Sequence, residues 1–128
     1  MKKMLMLAAC VAVAAPAFAH HGNASTESKT VVMKATVTEW QWTNPHTFLK
    51  FEVKDAAGAV THWTAEWNNP STLINFGLTA RTFKAGDEVT VTLDGVAKSG
   101  APIGRIKEVM LANGTVMRMD YAAGAGDN

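Results

Sequence analysis

Between Val31 and Trp42 the apolar residues keep a period of two and then change parity. Val31, Met33, Ala35 and Val37 fall on odd positions, Trp40 and Trp42 on even ones. Alternation of this kind is the mark of a half-buried strand. A change of parity inside one strand needs an extra, unpaired residue, so a bulge is predicted near Thr38-Glu39, with a sharp bend in the strand. A long strand that bends and twists in this way is what a small sheet needs to curl closed on itself.

The rest of the chain supplies partners for that strand. Leu49, Phe51 and Val53 mark a second strand, and Trp63, Ala65 and Trp67 a third, with Ala57-Gly58-Ala59 as the tight turn between them. Opposed residues share a face, so their numbers must add to an even value. A sum of 116 pairs Phe51 with Ala65, Leu49 with Trp67, and Lys50 with Glu66 on the outer face, and this register is expected. Asn69 suits a helix N-cap, Pro70 the first helical position and Gly77 the C-terminal left-handed position, which predicts one short helix. Ala85-Gly86-Asp87 turns into a strand through Val89, Val91 and Leu93. Ile106 to Leu111 forms another, and Asn113-Gly114 turns it into Val116 to Met119. Three strands, a helix and further strands is the order of an all-β, OB-like barrel of five to six strands, with a β-sandwich as the alternative. Trp63 and Trp67 fall on core parity. Trp40 and Trp42 follow the bulge, with at least one partly exposed. Met110, Met117 and Met119 read as core filling.

The ends have a different character. Lys2 and Lys3, the apolar run Met4 to Val13 and the small-residue box Ala17-Phe18-Ala19 form the pattern of a secretory leader over residues 1–19. Its apolar run is too short to remain as a stable membrane span. Cleavage after Ala19 leaves 109 of the 128 residues, enough for one small domain. Residues 20–29 are polar and without period and read as a flexible arm, 30–121 as the barrel domain, and 122–128 as a glycine-alanine tail. Cys10, the one cysteine, leaves with the leader. Leu7-Ala8-Ala9-Cys10 resembles a lipobox, but only Met4 to Ala9 precede it, so soluble export to the periplasm is expected. The leader also removes two of the twelve basic residues and none of the eleven acidic ones. Ten against eleven is no electrostatic footprint for a phosphate backbone, so nucleic acid is not an expected partner.

Processing would create a new terminus at His20-His21-Gly22. A free α-amine beside two imidazoles forms a chelating group, and imidazole favours copper, zinc or nickel, with copper(II) the strongest divalent competitor. The metal candidates are therefore His20 and His21, with His46 as a third ligand from the folded body. His46 is expected at the far end of the first strand from the arm, so that ten arm residues, spanning at most about 33–36 Å, would have to be nearly extended to meet it. In the expected register His46 opposes Pro70, and His62 opposes Lys54 on a solvated face. A second candidate lies at the corner between strands one and two. There Trp42, Asn44, His46, Asn68 and Asn69 gather at a loop end of the kind that binds small ligands or saccharides. The alternative is that the asparagines only close turns. No mature cysteine, serine elbow or pair of carboxylates in an aromatic cleft is present, so hydrolysis has no support and no enzyme is expected.

The residues Glu39-Trp40-Gln41-Trp42-Thr43-Asn44-Pro45-His46, the His20-His21 pair behind the cleavage box, the stretch Lys84 to Val91 and the turn before Arg105 together resemble a family of small exported bacterial proteins, domain of unknown function 6152. The resemblance implies a periplasmic address and a small β-barrel, and no established activity. In that family the paired histidines are followed by aromatic residues, whereas Gly22 to Ser28 is wholly polar here.

The expected function is that of a non-enzymatic periplasmic binding module, taking copper(II) on the His-His terminus. The alternative is an interaction domain that holds a protein or envelope saccharide at the Trp42/Asn44/His46/Asn68 corner.

Overall fold

The computed structural model describes residues 25–119. The leader, His20 and His21, and the tail 122–128 lie outside the described residues.

Six strands and one helix follow in the order β1 (Thr26–Gln41), β2 (Thr47–Lys54), β3 (Val60–Trp67), α1 (Pro70–Ile74), β4 (Glu88–Ala97), β5 (Ile103–Leu111) and β6 (Val116–Arg118). β1 pairs antiparallel with both β2 and β4, β3 with β2, and β5 with β4. A parallel pairing of β3 Thr64–Glu66 with β5 Ile103–Arg105 then joins the two edges. Five strands thus form a ring, β1-β2-β3-β5-β4, and β6 extends it as a hairpin on β5. This is the expected all-β, OB-like barrel with one short helix.

The parity change of β1 is a bulge where the strand needs it. Val37 pairs with Phe51 but Glu39 pairs with Lys50, so Thr38 is the extra residue. Before the bulge, Ala35 and Val37 point inward; after it, Trp40 and Trp42 pack against the same core. On its other side Val37 continues the β1–β4 ladder into the turn before β4. Its N–H donates to Asp87 O and its carbonyl accepts from Gly86 N–H, both at 2.8 Å. Gly86 makes that approach at φ 92°, in the left-handed region. Asp87 closes the same turn by accepting from the Lys84 N–H and ammonium, and these bonds hold its carboxyl below the ordinary carboxylate range.

The core is apolar and continuous. Leu49, Phe51, Ala65, Trp67, Val91, Leu93 and Val109 are buried within it, and each fully buried large side chain contributes about 1.5–3 kcal/mol. Trp63 stacks on Phe51 with parallel rings 6.3 Å apart. The Trp67 indole N–H is buried without a partner among the described residues. α1 covers the end of the barrel with Pro70 and Leu73. Asn69 is its N-cap, its side chain accepting from Thr72 N–H at 2.8 Å. Gly77 at φ 84° and the Leu78 N–H to Leu73 O bond end it in the predicted left-handed turn.

Three expectations need correction. The β2–β3 register sums to 114, not 116: Leu49 faces Ala65, Phe51 faces Trp63, and Lys50 faces Thr64. The turn is centred one residue earlier than Gly58 because the Asp55 carboxylate accepts from the Ala57 and Ala59 N–H groups, making Asp55 and Ala59 the closing pair. Parity was right, so the core residues of these two strands were right, but every cross-strand partner moves by two; on β5, Met110, expected as core filling, is exposed, while Met117 and Met119 pack against the core. The second correction concerns the arm. β1 begins at Thr26, since Thr26, Glu27 and Ser28 pair with Ala97, Val96 and Gly95, so the polar arm ends before residue 26 rather than at 29. A backbone ladder needs no apolar alternation, and so these polar residues carried no strand signal. The third is the position of His46, described with the site.

Gly104 marks the closest approach of β5 to β4. It lies in both the β3–β5 and the β4–β5 ladders, and a Cβ there would meet Leu93 Cδ1 at 2.5 Å and the Gly95 carbonyl at 2.9 Å, both on β4. A backbone atom cannot swing aside, so Gly104→Ala is expected to cost about 1–3 kcal/mol. At Gly95 an added Cβ meets the end of the Arg105 side chain, at 3.4 Å. Thermal melts should therefore show a drop of several degrees for Gly104→Ala and a much smaller one for Gly95→Ala. Equal melting of the two variants would contradict this account of the β4–β5 contact.

Candidate functional site

The loop from β1 to β2 builds the corner that the sequence singles out. Thr43 Oγ1 donates to His46 O at 2.9 Å, closing a short turn around a cis Asn44–Pro45 peptide. Thr47 follows with a fully buried side chain, and both its N–H and its hydroxyl donate to Asn68 O, at 3.2 and 2.9 Å. Those two bonds hold the end of β3 against the start of β2, and so bring Asn68 beside His46.

Trp42 is partly buried, with its ring 5.6 Å from Trp40. Trp40 is fixed in turn by its indole N–H to Thr79 O, at 2.9 Å, and by an edge contact with Phe83. The aromatic side of the corner is thus anchored from below. Asn69 belongs to the helix rather than to a ligand platform, because its side-chain oxygen is occupied by the Thr72 N–H and the Ser71 hydroxyl. Asn44 is exposed, Asn68 is partly buried, and neither side chain has a hydrogen-bond partner among the described residues.

His46 does not oppose Pro70, which is buried as the first residue of α1. The shift of two residues instead gives His46 a partner that the sequence had assigned elsewhere. Its Nδ1 contacts the Glu66 carboxylate, and both side chains are about half-exposed. Lys50, expected to face Glu66, pairs with Glu39 at 2.9 Å. Its ammonium and the Gln41 amide hold the Glu39 carboxyl below the ordinary range. His62 faces Glu52, at 3.5 Å, and not Lys54. Six residues of β2 separate Glu52 from His46, roughly 20 Å, so the two histidines do not share a ligand.

A carboxylate only accepts, so the contact places a proton on His46 Nδ1 and leaves Nε2 as the lone-pair nitrogen of the neutral ring. This is how metal-ligating histidines are usually oriented. Among the described residues no group of three or more His, Cys, Asp or Glu side chains comes together. His46 with Glu66 stands as a lone imidazole–carboxylate pair.

Ring closure also sets how far the start of β1 lies from this pair. One hydrogen-bonded row runs from Ser28 to Gly95, from Gly95 to Arg105, and from Arg105 to Glu66. The root of the arm at Thr26 lies two residues along β1 from Ser28. Three strand spacings and two residues amount to roughly 16 Å over the barrel surface from Thr26 to Glu66. The expected separation along the length of β1 is therefore bypassed. Arg105 on this path is paired with Asp94 at 2.9 Å, so the path as a whole is not a barrier of positive charge.

A groove of about 490 Å³ lies elsewhere. It lies where β1 and β2 part beyond Thr36 and Glu52, and is walled by Lys34, Lys54, Glu52, Glu88 and Thr90. Its charges balance and it contains no imidazole.

The described residues thus form a closed, OB-like five-stranded ring with a half-exposed imidazole–carboxylate pair at one loop end. The chain belongs to the family of unknown function DUF6152, whose model matches residues 8–105. No curated protein matches it. No helix among the described residues is long and apolar enough to cross a membrane.

The Glu66 contact makes a spectroscopic prediction. With its ring neutral, His46 should be found as the Nδ1–H tautomer by ¹⁵N chemical shift, and Glu66→Ala should move it toward the Nε2–H form. An Nε2–H tautomer for His46 in the unsubstituted protein would contradict the pairing.

Proposed function

We propose that this chain is an exported, non-enzymatic binding module of the periplasm that takes up a transition metal ion, copper(II) foremost, on the terminus created by cleavage after Ala19. The observation that carries the reading is the coincidence at residues 20 and 21 of a free α-amine and two imidazoles, a chelating set that loses its protons near neutral pH. The attachment of the arm supports it. Ser25 O accepts from Lys98 N–H at 3.0 Å and Thr26 pairs with Ala97, so the chelate hangs only six residues from a fixed point on the barrel.

A second reading has its own support. Trp42 is partly exposed, and the amides of Asn44 and Asn68 have no partner among the described residues, which leaves the corner free to hold a protein segment or envelope saccharide. Removing residues 20–24 separates the two readings, since that leaves β1 and the corner whole.

Copper(II) titration of the processed protein, followed by electron paramagnetic resonance, tests the leading reading beside a protein extended by one glycine before His20. Tight one-to-one binding that the extension weakens by at least tenfold is the expected result. Equal, weak binding by both proteins would contradict it and favour the corner.

A further inference from the structure

We infer that the open edge of β1 takes up an extended segment of a partner protein as an added strand, and that the outward side chains of that segment are acidic. The inference is independent of the metal reading and of the Trp42 corner.

The first observation is an unpaired edge. β1 pairs with β4 over residues 26–36 but with β2 only over residues 36–41, so on the β2 side residues 26–35 have no strand partner among the described residues. Val37 directs its backbone bonds toward the turn before β4. Successive residues of a strand direct theirs to alternate edges, so Lys34 and Val32 offer N–H and carbonyl groups on the open side. Val32 lies in mid-strand and is nevertheless 62% exposed.

The second observation is the charge at the point where β1 and β2 part. Two residues beyond the Thr36–Glu52 pair, the same register would set Lys34 opposite Lys54, and like charges directly opposed are destabilising. Neither ammonium has a hydrogen-bond or ion-pair partner among the described residues. Both wall the groove of about 490 Å³, which leaves room on the outer side of an added strand. Inward of the parting, Met33 and Val53 are only partly buried against the core. A strand lying along this edge therefore meets apolar side chains inward and two free cations outward, a pattern that selects alternating apolar and acidic residues. In such complexes the main-chain bonds supply affinity and the alternate side chains supply specificity.

The carboxylates of the groove do not oppose this. Glu52 and Glu88 flank Thr36 on the next row, where β2 already occupies the edge, and Glu52 is in contact with His62 at 3.5 Å. A second copy of the chain fits poorly. Between Glu27 and Glu39 its β1 carries Lys29 and Lys34 and no acidic residue, and edge lysines of this kind discourage pairing with a like strand.

The test uses processed protein and three labelled ten-residue peptides with blocked ends: valine alternating with aspartate, valine alternating with lysine, and the aspartate peptide N-methylated at every residue. Fluorescence anisotropy gives affinity, and ¹⁵N–¹H spectra locate the contact. The aspartate peptide should shift the Val32 and Lys34 amides and slow their hydrogen exchange. The lysine peptide should bind about tenfold more weakly or worse, and the N-methylated peptide not at all. Lys34→Glu combined with Lys54→Glu, both exposed positions, should reverse the order of the aspartate and lysine peptides while the β1–β4 amide shifts stay in place. Equal binding of the two charged peptides, no binding by either, or shifts at Trp42 and Asn68 without change at Val32 and Lys34 would overturn the inference. So would Val32 and Lys34 amides already protected in the protein alone, as a monomer or a dimer by sedimentation, because the edge would then be taken by the chain itself or by a second copy.

Discussion

Three parallel residue pairs, Thr64–Glu66 against Ile103–Arg105, hold this molecule closed. Without them β1 to β5 form a curled antiparallel sheet with two open edges, and the two ends of β1 stand far apart. With them the start of β1 returns, by way of β4 and β5, to the outer face beside the end of β3. The closure depends on a bent β1, and the bend depends on the bulge at Thr38. Gly104, in the middle of the closing ladder, has no room for a Cβ on its β4 side, against Leu93 and the Gly95 carbonyl.

The same closure decides what the polar corner can do. The imidazole of His46, at a loop end, half-exposed and held by the Glu66 carboxylate, has a fixed direction. Among the described residues it belongs to no group of three or more metal-ligating side chains. The row Ser28, Gly95, Arg105, Glu66 brings the start of β1 round to the side of the barrel that carries His46, although twenty positions separate Thr26 from His46 in sequence.

Features set by neighbouring residues were legible in the sequence. The parity change predicted the bulge, Asn69-Pro70 and Gly77 bounded the helix, and the alternating residues of β2, β3 and β4 named the core. Features set between distant residues were not. Alternation decides a register only to within multiples of two, and the last step was taken by the Asp55 carboxylate, whose bonds to Ala57 and Ala59 re-centre the turn. Reading Asp55 as the turn's opening residue would have supplied the missing sum and placed Asn68 opposite His46, with Glu66 on the diagonal. Polar residues 26–28 join β1 through backbone bonds alone, and so left no pattern. The parallel β3–β5 contact is short and joins segments nearly forty residues apart, and nothing local announces it. Its omission is why His46 looked remote from the arm.

The most direct test of this account is the pattern of nuclear Overhauser contacts between β3 and β5. Contacts joining Thr64–Glu66 to Ile103–Arg105 are expected beside those of the β1–β4 ladder. An intact β1–β4 ladder with no contact between β3 and β5 would show an open sheet and would contradict the account.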